Sequence, residues 1–369
     1  REIRRIDWIL LATSGALSAL GIAVLWGIVR WAPEWQSLPV RQTQWLAVSF
    51  GVLAVVVWLD YRVWKRWGYV AYAVAVMGLS LLFVLGHTEN NATRWFRLGP
   101  VSVQPSEFAK VAVIVTLARH LDKKESLSIF WDLFGPLLHV GAPLLLILLQ
   151  PDLGTALVFV FITFSMLYMA GAKGRHLALL GGVPLLVFIA LIFGHLRYGF
   201  PLPLKEYQIK RLTSFIDPTR DAQGAGYNLL QAMIAIGSGR FLGKGYLRGT
   251  QGRLGYVPEH QTDFIFTIVG EELGFLGSFI LLALFFTLIW RGLRIAYQAK
   301  DRYGRLLATG VVAMFLFHVM ENIGMNLGIM PITGIPLPFI SAGASSMTAS
   351  LWAVGILENV WARRQKIMF

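Results

Sequence analysis

Residues 8–29 read WILLATSGALSALGIAVLWGIV, a stretch without one charged side chain. About 20 consecutive apolar residues cross the hydrocarbon core of a bilayer as an α-helix. The stretch therefore predicts a transmembrane helix, and it is longer than the apolar core of a typical cleavable signal peptide. Comparable runs recur along the chain and predict ten spans, near residues 8–29, 45–59, 69–86, 107–120, 133–149, 153–170, 176–194, 264–290, 306–329 and 340–360.

The composition also indicates a membrane protein. Only 14% of the 369 residues are charged, against about 25% in soluble domains, and the mean hydropathy is +0.61. The sequence contains no cysteine, which excludes disulfides, thiolate catalysis and cysteine-ligated metal. We predict an all-α polytopic membrane protein in which residues 1–369 form a single integral membrane domain.

The basic residues predict the orientation of the spans, because cytoplasmic loops carry an excess of Lys and Arg. With a cytoplasmic N-terminus, the inner segments hold 19 of the 33 basic residues and the short outer loops hold four. Nine others lie in a long outer loop, residues 195–263, and long loops are translocated largely regardless of charge. Both termini are therefore predicted to be cytoplasmic. The net charge of +13 then reflects topology and anionic lipids rather than nucleic acid.

The polar motifs all fall on the predicted outer side of the membrane. The inner loops are short, basic and without motifs, so any function should face outward, near the outer leaflet. The outer clusters are Arg94–Gly99, Gln104–Glu107, Gln150–Thr155, the loop 195–263 and Pro331–Ser346.

The long outer loop combines an apolar segment with a stretch rich in glycine and basic residues. Tyr227–Ile236 predicts a short helix in the membrane interface. Arg240, Lys244 and Arg248 then alternate with glycines, which let backbone N–H groups approach a ligand while the basic side chains neutralise phosphate. The pattern suits a phosphate-bearing ligand, but it has no strict phosphate-loop spacing, and the spacing alone favours a flexible basic loop in contact with anionic lipids.

Asp263 lies where the long loop enters the eighth span. A carboxylate in this position is partly desolvated, so its pKa is expected to rise and it could accept a proton from a sugar hydroxyl. The alternative is that Thr262 or Asp263 caps the N-terminus of the helix, a role that both residue types fill well.

Other charged residues are predicted inside or beside the spans. Glu107 and Lys110 lie three residues apart on one helix face, as a structural ion pair or as a cavity-facing pair. Asp152 is expected to cap the sixth span. Of the adjacent Glu271 and Glu272, one is expected to face the cavity and the other a polar neighbour.

His318 and Glu321, three residues apart in the ninth span, are expected to form a neutral hydrogen-bonded pair. The sequence carries no HExxH or DDxxD metal motif. A divalent ion, Mg²⁺ or Mn²⁺, held loosely on a pyrophosphate would leave no such signal.

Taken together, the motifs resemble the SEDS family (shape, elongation, division and sporulation). The matching segments run in family order: Arg94–Gly99, QPSEFAK at Gln104–Lys110, QPDLGT at Gln150–Thr155, GAGY at Gly224–Tyr227, AIGSG at Ala235–Gly239, Gly243–Gly245, Gly249–Gln251, TDFIF at Thr262–Phe266, EELGFLG at Glu271–Gly277, Asn322–Met325 and Thr333–Ser346. The Gly249–Gln251 segment and the short N-terminus favour the elongation branch of the family over its division branch.

The resemblance implies a ten-helix peptidoglycan glycosyltransferase of the bacterial inner membrane. Its substrate would be lipid II, and its partners a class B penicillin-binding protein and other membrane proteins of the elongation complex. It would have no obligatory cofactor. The aspartate of the family's TDF motif is essential and corresponds to Asp263. The other residues predicted to bind substrate or line the cavity are Trp95, Glu107, Lys110, Asp152, Arg211, Arg240, Lys244, Arg248, Thr262, Glu271, Ser345 and Ser346.

Two departures from the family pattern bear on the site. Gln261 stands where the family usually has the histidine of His-Thr-Asp, so a histidine immediately before the threonine cannot be the base here. Ala342 and Ala344 replace the tyrosine and the second glycine of the usual Ser-Tyr-Gly-Gly-Ser-Ser, which removes a ring and a site of close backbone approach.

Two alternatives to the polymerase remain at this point. A flippase for the same lipid-linked precursor should need binding groups on both faces or along a central path, whereas the polar motifs here are one-sided. A non-catalytic scaffold that activates a transpeptidase would depend on surface residues more than on Asp263.

Overall fold

A computed structural model of the chain describes residues 6–29, 35–89, 92–99, 101–124, 126–202, 204, 206–220, 224–250 and 254–364. Among these residues it is mainly helical. In chain order the elements are α1 (Trp8–Val29), α2 (Leu38–Trp58), α3 (Tyr61–Leu85), β1 (His87–Glu89), β2 (Ala92–Leu98), β3 (Val101–Val103), α4 (Pro105–Asp122), α5 (Phe134–Leu149), α6 (Leu153–Met169), α7 (Gly174–Tyr198), α8 (Glu206–Ile216), α9 (Ala225–Ser238), α10 (Ile265–Gln298), α11 (Arg302–Asn326) and α12 (Ala344–Ala362).

Each of the ten predicted spans coincides with one of these helices, α1–α7 and α10–α12. Seven of the helices in the described part of the chain are long and apolar enough to cross a membrane by themselves. The other three are α4, which carries four charged residues, α6, which has 17 residues, and α12, which is rich in small polar residues. The side chains of α4 and α12 are nearly all buried against other helices, so these helices need no apolar outer surface.

Two helices begin well before the apolar runs that predicted them. The runs at 45–59 and 69–86 belong to α2 and α3, which begin at Leu38 and Tyr61. Lys and Arg are good helix formers, so a basic segment can continue a helix toward the membrane surface. The carboxylate of Asp60 accepts a hydrogen bond from the Arg62 N–H at 2.9 Å and caps the start of α3.

A small three-stranded antiparallel sheet, β1–β2–β3, adds to the predicted helical fold. His87 lies opposite Trp95, and Phe96 lies opposite Val103. Strands β1 and β3 have only three residues each, and the sequence of β2, ATRWFRL, does not alternate between polar and apolar residues, so the segment shows no two-residue periodicity. The sheet holds β2, with Arg94 and Trp95, next to the start of α4.

The core is built around α11 and α12. Helix α11 packs against α4, α6, α10 and α12, and nearly all of its side chains are buried. Helix α7 is the opposite case, because only Leu177 and Gly194 are buried in it. A bilayer would cover such an exposed apolar helix, and this agrees with a multi-pass membrane protein.

Helix α10 is interrupted, although its sequence predicts one continuous span. Gly274 has φ +64° and ψ −159°, and the loop before the helix docks at the break. Four hydrogen bonds join the two: Phe275 N–H to Arg240 O at 2.8 Å, Leu276 N–H to Phe241 O at 3.0 Å, Lys244 N–H to Glu271 O at 3.0 Å and Gly245 N–H to Glu272 O at 3.0 Å. A Cβ on Gly274 would lie 2.2 Å from the Gly243 nitrogen, so the contact requires glycine.

The long outer loop contains two helices, α8 and α9. The segment Tyr227–Ile236 lies within α9, as its apolar pattern predicts. Its position in the membrane interface stays a prediction. Gln251, the last residue of the Gly249–Gln251 motif, lies outside the described residues.

Candidate active site

The backbone of Asp263 is held by two asparagines of α11. The Nδ2 atoms of Asn322 and Asn326 donate to the Asp263 carbonyl oxygen at 2.9 and 3.1 Å. The asparagines are four residues apart, so they share one face of α11. Sequence reasoning missed them as a pair, although two buried amides at this spacing were a visible signal.

The turn before α10 aims the Asp263 side chain away from the helix. Glu259 has φ +53°, and its carbonyl oxygen accepts the N–H groups of Thr262, Asp263 and Phe264 at 3.1, 3.1 and 3.2 Å. Phe264 is the N-cap of α10, and no side chain caps the helix. The capping alternative for Thr262 and Asp263 is therefore wrong.

Asp263 lines a cavity of about 250 Å³ among the described residues. Five of the predicted site residues meet here: Trp95, Arg211, Thr262, Asp263 and Ser346. Sequence reasoning had not singled out the others, which are Arg94, Gln104, Thr155, Glu259, Gly334–Pro336, Ala342 and Gly343. Most of these lie in the outer motifs, so their sequence neighbourhood was known but their side chains were not assigned.

Opposing charges surround the Asp263 carboxyl group. Burial raises its pKa to about 6, with smaller contributions from Glu259 and Asp152 in the same direction, while Arg211 and Arg94 act to lower it. Gly334 has no side chain, and this leaves room for Asp263 and Arg211 beside it, since a Cβ there would lie 3.0 Å from Asp263 Oδ2 and 3.3 Å from Arg211 Nη1. A carboxyl with this pKa is mostly ionised at neutral pH and can still accept a proton.

Arg94 is anchored on the far side of the cavity by the turn before α6. Its Nε lies 3.7 Å from Asp152 Oδ2, and its guanidinium donates to the carbonyl groups of Gln150 and Pro151. Asp152 caps α6, as expected, accepting from Thr155 N at 3.2 Å and Thr155 Oγ1 at 3.0 Å. Asp152 thus influences Asp263 through charge and holds Arg94 in place.

Glu107 and Lys110 form a buried ion pair behind the cavity. Lys110 Nζ lies 2.8 Å from Glu107 Oε1 and 2.8 Å from His318 Nε2. His318 Nδ1 in turn lies 3.2 Å from the carbonyl oxygen of Pro336, which lines the cavity. His318 therefore pairs with Lys110, and the expected His318–Glu321 pair is not formed.

Three predicted residues lie in a separate network at the break in α10. Glu271 accepts from Lys244 Nζ at 2.6 Å and from Thr250 N at 2.7 Å. Glu272 accepts from the N–H groups of Leu247 and Gly249 at 3.2 and 3.3 Å. Both carboxylates thus hold the same loop, which differs from the expectation that they face different surroundings.

Arg240, Arg248 and Ser345 do not line the Asp263 cavity. The Arg240 carbonyl caps the second part of α10, and Arg248 donates its N–H to the Gly245 carbonyl at 3.0 Å. Ser345 is buried, and its hydroxyl accepts from the Gln104 N–H at 3.0 Å, which joins α12 to the residue before α4. Among the described residues no group of three or more His, Cys, Asp or Glu side chains forms a metal site.

Two further spaces adjoin the Asp263 cavity. An apolar groove of about 530 Å³ lies along α6, α7 and α8 and shares Arg94 and Arg211 with the cavity. A chamber of about 500 Å³ lies on another side and shares Trp95, Thr262, Ala342 and Gly343 with it. The groove and the chamber have no lining residue in common, so the cavity lies between them.

Comparison with known proteins places the chain in a family. The family model for FtsW, RodA and SpoVE, described as cell cycle proteins, matches residues 4–366. The chain is 37% identical to stage V sporulation protein E of Bacillus subtilis, over 95% of this chain and 94% of that protein. It is 35% identical to the peptidoglycan glycosyltransferase MrdB of Escherichia coli, over 95% and 93%.

A solved structure agrees with these relatives. The chain is similar, with a TM-score of 0.81 and 32% identity over 97% of this chain and 98% of that one, to a chain from a peptidoglycan synthase complex that coordinates polymerization and crosslinking. The chain therefore belongs to the FtsW/RodA/SpoVE family, which is the SEDS family that its motifs resemble.

Proposed function

We propose that this protein is a peptidoglycan glycosyltransferase that polymerises lipid II into glycan strands during cell elongation. The observation that carries the proposal is the Asp263 carboxyl group, which faces two arginines in a cavity that opens into an apolar groove. Relatives named peptidoglycan glycosyltransferases, at about 35% identity over nearly the whole chain, support the activity.

In the proposed reaction, Asp263 is the general base. It takes the proton from a hydroxyl of the acceptor sugar, and the hydroxyl oxygen attacks the anomeric carbon of the donor sugar. A new C–O bond forms as the bond from that carbon to the phosphate oxygen breaks, and undecaprenyl pyrophosphate leaves. No second catalytic acid is needed, because pyrophosphate is already a good leaving group. A pKa of about 6 suits a base that works near neutral pH.

Arg94 and Arg211 are the groups best placed to bind the pyrophosphate. Guanidinium groups bind phosphate oxygens through strong charge-assisted hydrogen bonds. Both side chains lie where the cavity meets the groove, so the isoprenoid tail would lie along α7 while the pyrophosphate stays beside Asp263. Of the earlier candidates, Arg211 keeps this role. Lys244 is already paired with Glu271, and Arg240 and Arg248 lie outside the lining of the cavity.

A divalent ion fits this donor set only with help from the substrate. Mg²⁺ is usually bound by one or two carboxylates together with substrate phosphates, rather than by an all-protein cage. Glu259, which also lines the cavity, would supply such a carboxylate and the pyrophosphate the remaining oxygens, which leaves Asp263 free to act as the base. Bound there, Mg²⁺ or Mn²⁺ would neutralise charge on the leaving group.

We further propose an inner-membrane location, with the cavity open to the outer face. All the residues that line the cavity come from segments predicted to face outward. The proposed partner is a class B penicillin-binding protein of the elongation complex, since the similar solved chain belongs to a complex that coordinates polymerization with crosslinking. Neither the flippase nor the scaffold has a comparable observation in its favour.

The test is polymerisation of purified lipid II by the purified protein, alone and with the transpeptidase. Asp263→Asn keeps the size of the side chain and removes the base, and Asp132→Asn, before α5, is the matched control. We expect glycan strands from the wild type and the control, and none from a folded Asp263→Asn variant. Full activity of Asp263→Asn would exclude Asp263 as the base. No activity of folded wild type with its partner present would exclude the polymerase.

A further inference from the structure

The chamber beside the Asp263 cavity is lined by three tryptophans. Trp35 precedes α2, Trp45 lies in α2, and Trp95 comes from β2. Around the indole rings the chamber also presents Arg41, Gln42, Arg97 and Ser102. Aromatic walls with a few polar groups are the usual composition of a small-molecule site.

Tryptophan is common at membrane surfaces, so its presence alone would mean little. Trp58 and Trp67 illustrate that ordinary case, since they are 74% and 59% exposed on the outside of the helix bundle. Trp35, Trp45 and Trp95 are each only partly exposed, and they converge on one concave space from three different elements. Indole rings that line one concave space indicate a ligand site, whereas rings spread around the helix bundle at the membrane surface do not.

The chemistry of the lining suits a sugar. One face of a pyranose ring presents C–H groups that pack against an indole, while its hydroxyl groups need hydrogen-bonding partners. The hydroxyl of Ser102 and the guanidinium groups of Arg41 and Arg97 are such partners. An isoprenoid tail would instead need an apolar groove, which lies on the other side of the cavity.

The wall between the chamber and the Asp263 cavity is held in place by α2. Gln42 Nε2 donates to the Ser341 carbonyl at 3.3 Å, and the Gly343 N–H donates to Gln42 Oε1 at 3.1 Å. Between these two anchors lies Ala342, which lines both spaces. A single methyl group is therefore all that this side chain places between the two spaces.

We propose that the tryptophan-lined chamber binds the acceptor saccharide, and that Trp45 is one of the rings on which this sugar stacks. The inference rests on the proposed function. The groove, the cavity and the chamber follow one another, so a donor with its pyrophosphate at Arg94 and Arg211 has its anomeric carbon turned toward the chamber. An acceptor hydroxyl arriving from the chamber attacks that carbon on the side opposite the leaving pyrophosphate. It meets Asp263 at the boundary, next to Thr262.

The experiment measures binding of a lipid-free and peptide-free tetrasaccharide of alternating N-acetylglucosamine and N-acetylmuramic acid by calorimetry. The background is Asp263→Asn, which removes turnover from the measurement. Trp45→Ala is compared with Trp45→Phe, which keeps an aromatic ring, and with Trp58→Ala, the matched control at the exposed end of the same helix. Thermal melting of each variant in detergent confirms that it is folded.

We expect Trp45→Ala to weaken binding roughly five- to tenfold, the effect of one lost aromatic contact, with Trp45→Phe in between and Trp58→Ala unchanged. Equal affinities for folded Trp45→Ala and Trp58→Ala, or no binding to the parent protein, would overturn the subsite. Failure of the polymerase is a separate result. If wild type makes no glycan but the tetrasaccharide binds with the expected dependence on Trp45, the saccharide site in the chamber is supported and the proposed polymerase reaction is rejected.

Discussion

The pH dependence of polymerisation tests the role of Asp263 most directly. A general base works in its ionised form, so activity should rise with pH through the pKa of Asp263, which is about 6. One pH unit below that pKa, about one tenth of the carboxyl groups are ionised, so the rate at pH 5 should be about one tenth of the plateau. An unperturbed aspartate would instead leave the rate nearly constant between pH 5 and pH 7.

The rise of activity through the pKa of Asp263 is the acidic limb of the pH profile. Two neighbours of Asp263 should shift this limb along the pH axis in opposite directions. Glu259→Gln removes a negative charge that raises the pKa of Asp263, so the limb should shift to lower pH. Arg211→Gln removes a positive charge that lowers this pKa, so the limb should shift to higher pH. Arg211 is also proposed to bind pyrophosphate, so its variant should have a lower plateau as well, but the position of the limb is read independently of its height.

The assay is kcat/KM for glycan formation from lipid II between pH 4.5 and 8 at constant ionic strength, because this ratio follows the pKa of the substrate-free enzyme. Asp132→Asn serves as the control, since this residue lies before α5 and away from the cavity, and its profile should match wild type. Shifts of both charge variants in the same direction, or a wild-type rate that is flat from pH 5 to pH 7, would refute the assignment of Asp263 as the base.

Three further predictions concern stability and the loop at the break in α10; all use thermal melting in detergent, and the third also uses KM for lipid II. Glu107→Gln should lower the free energy of unfolding by about 3–5 kcal/mol, because it leaves the Lys110 ammonium buried without its carboxylate. Adding Lys110→Met should recover most of this loss. If the losses of the two single variants simply add in the double variant, the pairing is contradicted. Gly274→Ala should lower the free energy of unfolding by about 1–3 kcal/mol, because Gly274 has a positive φ and contacts the loop. The control is Gly237→Ala in α9, where a Cβ has free space; it should leave this free energy unchanged or raise it by up to about 1 kcal/mol. Lys244→Met should lower the melting temperature and leave KM for lipid II unchanged. A large rise in KM would instead show that Lys244 binds the substrate.

Much of the architecture was accessible from the sequence because its signals are local. A span is defined by its own apolar length, so all ten predicted spans coincide with helices. The role of Asp152 as a helix cap follows from its short Pro-Asp-Leu-Gly segment. The family motifs indicate Asp263 in the same way, through a run of neighbouring residues.

The errors arose where two distant segments meet. Glu271 and Lys244 are each plausible ligands for substrate as isolated residues, yet 27 positions separate them in the chain and the fold joins them at 2.6 Å. The break at Gly274 has the same origin, because it depends on a loop that supplies hydrogen bonds in place of the helix. The sheet was missed for another reason, because β1 and β3 have only three residues each and β2 does not alternate between polar and apolar residues.

The sequence by itself determined the membrane class, the ten helices predicted as spans and the candidate base, since hydropathy, charge and motif spacing are properties of neighbouring residues. Only the tertiary structure decided what surrounds that base. Arg94, Arg211 and Glu259 come from three different segments, and the pKa of Asp263 depends on their distances and on the water that the surrounding helices exclude. Those distances arise from packing among segments far apart in the chain, and no local pattern encodes them.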